Sequence, residues 1–177
     1  MKNILVTGGA GYIGSHCVKR LVADGHNVTV LDNLGRGHRE AVEAAGQGKA
    51  TLEVVDLRDT DGVEAVLRKH DIQAVIHFAA LAYVGESVTD PLKYYDNNTA
   101  GSVSLLTAMD RAGVKRIVFS STCATYGEPT QDQMPITETL AQNPINPYGG
   151  SKLMTERAPI AYARAHGDFA FGAPRYF

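Results

Sequence analysis

Val6-Thr7-Gly8-Gly9-Ala10-Gly11-Tyr12-Ile13-Gly14 decides how the rest of this 177-residue chain is read. The apolar run at 3–7 enters it as a strand, glycines recur at 8, 11 and 14, and a helical pattern leaves it over about 12–24. The spacing G-x-x-G-x-x-G differs by one residue from the dinucleotide fingerprint, and the physics is shared. Glycines allow a tight turn, close approach of backbone to a pyrophosphate, and close packing of helix on strand. Amides at the helix N-terminus then face the phosphates. Alone, the turn is weak evidence, because any strand-to-helix junction can be rich in glycine.

Outward from this turn the same alternation continues. Short β-branched runs at 27–32, 51–56, 73–78, 114–120 and 168–172 alternate with helical stretches at 60–70, 92–112 and 149–166. That order implies parallel strands joined by helices. Ile4-Leu5-Val6, Val28-Thr29-Val30-Leu31 and Ala74-Val75-Ile76 are nearly continuous in apolar residues, as in strands covered on both faces. The expected class is α/β, a Rossmann-type doubly wound parallel sheet with helices on both faces, with residues 1–177 forming one domain. The segment 127–147, with four prolines at 129, 135, 144 and 147, is predicted as a long loop of the length that usually carries function.

Composition narrows the partners. With 44% hydrophobic and 20% charged residues the chain reads as an ordinary soluble protein. Its net charge of −2 supplies no global positive field for nucleic acid or an anionic membrane, so a small ligand is expected. Cys17 and Cys123 lie far apart without paired spacing, which argues against a disulfide scaffold and a zinc site. No apolar run is long enough for a signal-peptide core or a membrane span, which leaves the cytoplasm as the default compartment.

Candidate site residues gather at the carboxyl ends of the predicted strands. The second strand ends at Asp32, about 20 residues after the glycines, where a carboxylate can accept from both adenosine ribose hydroxyls and repel a 2′-phosphate. NAD is thereby favoured over NADP, although Arg36 nearby keeps the phosphate in play and Asp32 could instead cap a loop. Asp56-Leu57 offers an adenine ring a carboxylate for its amine and an apolar edge for its face, or simply ends a strand. In His77-Phe78-Ala79-Ala80 the small residues let a ligand lie against the backbone, while His77 reads as a hydrogen-bonded core residue.

Tyr148-Gly149-Gly150-Ser151-Lys152 puts a phenol and an ammonium at i and i+4, on one face of a helix. A phenol with a pKa of about 10 is a poor base at neutral pH, and an adjacent cation that favours phenolate corrects this. Solvated helix faces carry the same spacing. The fifth strand, however, ends in Phe119-Ser120-Ser121-Thr122 at the same edge of the sheet, bringing Thr122 within reach of the phenol. A Ser/Thr-Tyr-Lys set beside a nicotinamide moves a proton and a hydride together.

On these residues the sequence resembles the extended short-chain dehydrogenase/reductase superfamily and, within it, the UDP-sugar 4-epimerases such as UDP-glucose 4-epimerase. The stretches that carry the resemblance are 6–16, Leu31-Asp32-Asn33-Leu34, Val84-Gly85-Glu86-Ser87-Val88, Tyr94-Tyr95-Asp96-Asn97-Asn98 and 148–152. It implies an isomerase with a tightly held NAD that is reduced and reoxidised within each turnover of a UDP-hexose, UDP-glucose or UDP-galactose. Tyr148 would take the proton from the sugar 4-hydroxyl, and the 4-keto sugar would turn over before hydride returns to its opposite face. Thr122 would orient the 4-hydroxyl, so that Thr122 and Tyr148 contact substrate, and Lys152 would bind the nicotinamide ribose and tune Tyr148. Besides Gly8, Gly11 and Gly14, the residues implied to line the cofactor are Tyr12, Ile13, Asp32, Asn33, Asp56, Leu57, Phe78, Ala79, Ala80, Asn97 and Phe177.

The resemblance also has departures. Many of these epimerases carry a cofactor-contacting Lys where this chain has Ala82. Pro159 falls inside the expected catalytic helix, where proline costs about 3 kcal/mol or forces a kink. Phe171-Gly172-Ala173-Pro174-Arg175-Tyr176-Phe177 is similar to the family's strand ending in Arg-Tyr-Phe-Asn and stops before the Asn. In the family a further stretch builds the nucleotide-sugar pocket, so residues 1–177 are expected to be an NAD-binding domain without its C-terminal substrate-binding domain. A sugar-nucleotide dehydratase is disfavoured, because Cys123 and Ala124 stand where its Asp and Glu would be. A UDP-xylose/UDP-arabinose 4-epimerase and a catalytically incompetent NAD-binding fragment both stay open, as does a homodimer.

Overall fold

Parallel strands dominate the computed structural model, which describes all residues from Met1 to Phe177. The strands are β1 (Asn3–Thr7), β2 (Asn27–Leu31), β3 (Ala50–Glu53), β4 (Ala74–His77), β5 (Arg116–Phe119), β6 (Ser121–Thr122), β7 (Ala170–Gly172) and β8 (Arg175–Tyr176). Six of them form one sheet in the order β3-β2-β1-β4-β5-β7, and β6 pairs with β8 beside it. The chain therefore winds outward from β1 in one direction, returns, and winds outward in the other, which is the doubly wound order expected. In such sheets ligands collect at the carboxyl ends where the winding reverses, here between β1 and β4. The register puts Thr7 beside both Leu31 and His77, so the glycine turn, Asp32 and Phe78 leave the sheet side by side.

Alternation along β1 divides the core between the two faces. Leu5 belongs to a cluster with Leu67, Leu105 and Met109, whereas Ile4 and Val6 pack with Val18, Val22 and Val30. The helices that cover them are α1 (Tyr12–Ala23), α2 (Arg39–Gly46), α3 (Thr60–Lys69), α4 (Val84–Thr89), α5 (Pro91–Tyr94), α6 (Gly101–Ala112) and α7 (Pro147–Ala165).

Several elements differ from the sequence reading. α2 is a helix that the reading missed, because only Val42 and Ala45 anchor an otherwise charged segment to the core. The stretch read as one helix over 92–112 is α5, a π-helical turn at Tyr95–Ala100, and α6. A π turn is a local change of pitch that often marks functional sites. Here it carries Asn98, whose buried side-chain Oδ1 accepts from Leu81 N at 2.8 Å while Nδ2 donates to Leu81 O and Ser151 Oγ, each at 3.0 Å. Asn98 thereby fastens the loop after β4 to α7. That helix runs through buried Pro159 without ending, so the proline removes one rung of the ladder and leaves the first turns intact. The segment read as a loop over 127–147 is one as far as Asn146, broken by a 3-10 turn at Gln131–Gln133, and Pro147 already opens α7.

Candidate active site

The glycine turn is built for contact. Gly8 has φ +70, and a Cβ there would lie 2.5 Å from Ala79 N; a Cβ at Gly14 would lie 2.1 Å from Gly8 O. Only glycine lets the ends of β1 and β4 and the first turn of α1 approach so closely. Gly11 starts α1 with no side-chain cap, and a Cβ on it would meet nothing but Gly8 O at 3.3 Å. The first amides of α1 thus have no side-chain cap, and Tyr12 and Ile13 are exposed. This cradle fits a pyrophosphate.

Asp32 lies at the end of β2, 9% exposed. Its Oδ2 accepts from Ala10 N at 3.1 Å and its Oδ1 from Leu34 N at 2.9 Å, so it does cap the loop around it. Each carboxylate oxygen still has a lone pair for a ribose hydroxyl. Asn33 beside it donates to Asp56 Oδ2 at 2.9 Å. β3 stops at Glu53, so Asp56 and Leu57 sit in the turn beyond it. The acceptor positions of Asp56 are taken by Arg58 N, Nε and Nη2 and by Asn33, which holds its carboxyl far below the usual range. An adenine amine would have to displace one of these bonds. The Leu57 side chain packs into the core and is 8% exposed.

Phe78, Ala79 and Ala80 line the exit of β4 half-buried, next to Gly8. Asn97 follows in the π turn and donates to Asn98 Oδ1 at 2.9 Å. His77 is a core residue, as read: Nδ1 pairs with Thr7 Oγ1 at 2.6 Å and Nε2 with Ser102 Oγ at 2.9 Å. Burial first, and then the Lys152 charge, push it down to about 3, so the ring stays neutral. Phe177 is 84% exposed and lines a depression with Tyr126, Ile136 and Arg175, apart from the glycine turn.

At the other side of the crevice, α7 opens with Pro147 in its first turn and Asn146 as N-cap, whose side chain accepts from Gly149 N at 2.8 Å. A Cβ on Gly149 would lie 2.6 Å from Ala124 O, and one on Gly150 2.7 Å from Tyr95 Oη. Gly149 therefore lets α7 rest on the 3-10 turn Cys123–Tyr126, next to Thr122, and Gly150 makes room for Tyr95 of the π turn. Burial raises the Tyr148 phenol above its ordinary value, and the Thr122 side chain pulls the other way. Lys152, one turn on, is 4% exposed. Its Nζ donates to Ser120 O at 2.9 Å and lies 4.7 Å from the centre of the Phe119 ring. Burial pushes it down to about 8. The one hydrogen bond that Lys152 donates thus goes to Ser120 O and not to the phenol. An ammonium has three donors, and Lys152 makes a single hydrogen bond, which leaves capacity for ribose hydroxyls.

Sequence reasoning missed Glu156, which is 1% exposed on α7. It accepts from Arg175 Nη2 at 2.8 Å, from Arg175 Nε at 3.0 Å, from Gln142 at 3.0 Å and from Ser121 Oγ. One carboxylate thus joins the long loop, β6 beside Thr122, and β8. The spacing Tyr148, Lys152, Glu156, each four apart, was the available signal that a third polar group shares that face of α7.

The model for the NAD dependent epimerase/dehydratase family matches residues 4–177. The chain belongs to that family. It is 52% identical over 174 residues to a UDP-glucose 4-epimerase of Lactobacillus helveticus, covering 98% of this chain and 51% of that protein. It is 46% identical over 180 residues to UDP-arabinose 4-epimerase 1 of Arabidopsis thaliana, covering 99% and 42%. The crystal structure of UDP-glucose 4-epimerase from Brucella ovis in complex with NAD is similar with a TM-score of 0.93 and 47% identity, over 100% of this chain and 52% of that one. The chain spans about half the length of the curated relatives it matches.

Proposed function

We propose that this chain holds NAD and supplies the proton-transfer half of a C4 epimerisation of UDP-glucose and UDP-galactose. What carries the reading is the gathering of Thr122, Tyr148 and Lys152 at the same edge of the sheet as the glycine turn, in a chain 52% identical to a UDP-glucose 4-epimerase. When bound, NAD would supply a reversible hydride acceptor. The α1 amides would hold its pyrophosphate, Asp32 would accept from the adenosine ribose, Asn33, Ala79, Ala80 and Asn97 would line it, and Lys152 would donate to the nicotinamide ribose. Thr122 Oγ1 orients the sugar 4-hydroxyl, and Tyr148 Oη takes its proton and later returns it. Because burial disfavours phenolate, Tyr148 becomes a base only when a cation offsets that burial. Lys152, buried one turn away, is the group placed to do so.

A pentose substrate, as in the UDP-xylose/UDP-arabinose 4-epimerases, is the second reading. It is favoured by the 46% identity to a UDP-arabinose 4-epimerase, and these residues would treat C4 alike in both sugars. Most of the holding energy for either substrate should come from its nucleotide, remote from the reacting carbon. We therefore assign the holding of the nucleotide part of the substrate to residues outside this NAD-binding domain, and contact with the sugar C4 hydroxyl to Thr122 and Tyr148. The test is to assay UDP-galactose and UDP-arabinose with the chain alone and with a homologous C-terminal half supplied. Turnover is expected only in the completed protein, and the preferred sugar separates the two readings. An NAD-loaded completed protein that turns over neither sugar refutes the function.

A further inference from the structure

Arg36 is four residues past Asp32, and the loop that carries it folds directly onto that carboxylate. His38 N donates to Ala10 O at 3.0 Å, and a Cβ on Gly37 would lie 3.0 Å from Asp32 Oδ1. A guanidinium anchored there would be the natural partner of a ribose 2′-phosphate, since arginine matches phosphate with several donors at once. Its side chain instead turns to α4. Arg36 Nη2 lies 2.8 and 2.7 Å from the two oxygens of Glu86, and its Cζ lies 4.5 Å from the centre of the Tyr83 ring.

Glu86 is itself fixed. It accepts from Lys93 Nζ at 2.8 Å and from Tyr94 Oη at 2.7 Å. Tyr94 is fully buried, and its hydroxyl also accepts from Tyr83 N at 3.0 Å and lies 2.7 Å from Tyr83 O. The clasp on Arg36 therefore stands on the core and not on two free surface chains.

We propose that Glu86 is a specificity-determining residue: by clasping Arg36 it withholds a cation carried on the loop that folds onto Asp32 and keeps the ribose end of the site selective for a dinucleotide without a 2′-phosphate. The proposal rests on the NAD reading above. Two consequences separate it from selection by Asp32 alone. Removing the Glu86 charge should improve binding of NADP while Asp32 is untouched, and that improvement should require Arg36.

The test is calorimetric titration of NAD and NADP into the wild-type chain, Glu86→Gln, Arg36→Ala and the double variant. Glutamine at 86 can still accept from Tyr94, so the core contact is kept. In Glu86→Gln the preference for NAD over NADP should narrow by about fivefold or more, through tighter NADP binding, with NAD affinity within about twofold of wild type. The double variant should return to the wild-type ratio, and Arg36→Ala alone should leave that ratio unchanged. An unchanged ratio in Glu86→Gln overturns the proposal. So does a selective loss of NADP affinity in Arg36→Ala, which leaves α4 intact and shows whether Arg36 already reaches the phosphate. A folded wild-type chain that binds neither nucleotide removes the NAD reading and this proposal with it, whereas NAD binding without the shift removes only the role of Glu86.

Discussion

Replacing Arg175 with alanine should destabilise the chain strongly, and by an amount that depends on pH. The Glu156 side chain is 2% exposed, and Arg175 is its only cationic partner; the remaining donors are the neutral Gln142 and Ser121. Breaking a buried ion pair by removing one member costs about 3–5 kcal/mol, because a charge is left in a poorly solvating site. For a domain of this size each kcal/mol moves Tm by about 2–4 °C, so the fall should be about 6–20 °C at pH 7. In the intact protein burial favours the protonated acid, but hydrogen bonds from Arg175, Ser121 and Gln142 outweigh it and hold the carboxyl below its ordinary value. That contribution is present above the unfolded carboxyl pKa of about 4.3 and is lost as pH falls through the folded value. Without Arg175, burial dominates and the carboxyl moves up, so protonation relieves the variant first. Thermal unfolding followed by circular dichroism at pH 7, 5.5 and 4 should show the deficit shrinking with acid. Arg175→Ala combined with Glu156→Gln should recover part of it at pH 7. A fall of less than about 2 °C at pH 7, or a deficit that grows with acid, would refute the reasoning about this pair.

Lys152→Met should raise Tm at pH 7, because burial holds the Lys152 pKa at about 8, below its unfolded value of 10.5, and the buried charge opposes folding. The wild type regains that stability as pH rises from about 8 to 10.5, so the advantage of Met should vanish there, while NAD affinity falls at every pH; melts and titrations at both pH values check this. Gly14→Ala should cost about 1–3 kcal/mol in denaturant unfolding and weaken NAD binding, since its Cβ would lie 2.1 Å from Gly8 O. Gly85→Ala, with no atom within 4 Å of the new carbon, is the unaffected control. Tyr148→Phe should retain NAD affinity yet lower turnover of the completed protein by about 10²–10⁴, as measured by coupled assay.

How much of this was legible in the sequence depends on the range of the interaction concerned. The strands of the main sheet were readable because parallel strands buried on both faces leave nearly continuous apolar runs such as Val28-Thr29-Val30-Leu31. The glycine turn and the position of Asp32 at the end of β2 were readable because both follow from backbone geometry within one βα unit. The π turn at Tyr95–Ala100 was not, because its one buried residue is the polar Asn98, so no apolar periodicity marks the change of pitch. Asp56 carried a carboxylate in the right place, but nothing in the chain order told that Arg58 would fill its acceptors. Glu156 and Arg175 lie far enough apart in sequence that only the pairing of β6 with β8 brings them together. Arg36 and Glu86 met for the same reason, through a tertiary contact between the loop after β2 and α4.

Whether this chain carries the NAD site at the reversal of its sheet is tested most directly by titrating NAD into the isotopically labelled chain and following its amide resonances. Saturable shifts should appear at Gly11, Tyr12, Ile13 and Gly14, with further shifts at Asn33, Ala80 and the first turn of α7 around Tyr148 and Lys152. A folded chain whose NAD-dependent shifts lie away from the carboxyl ends of β1, β2 and β4, or that shows none at saturating NAD, would contradict the assignment.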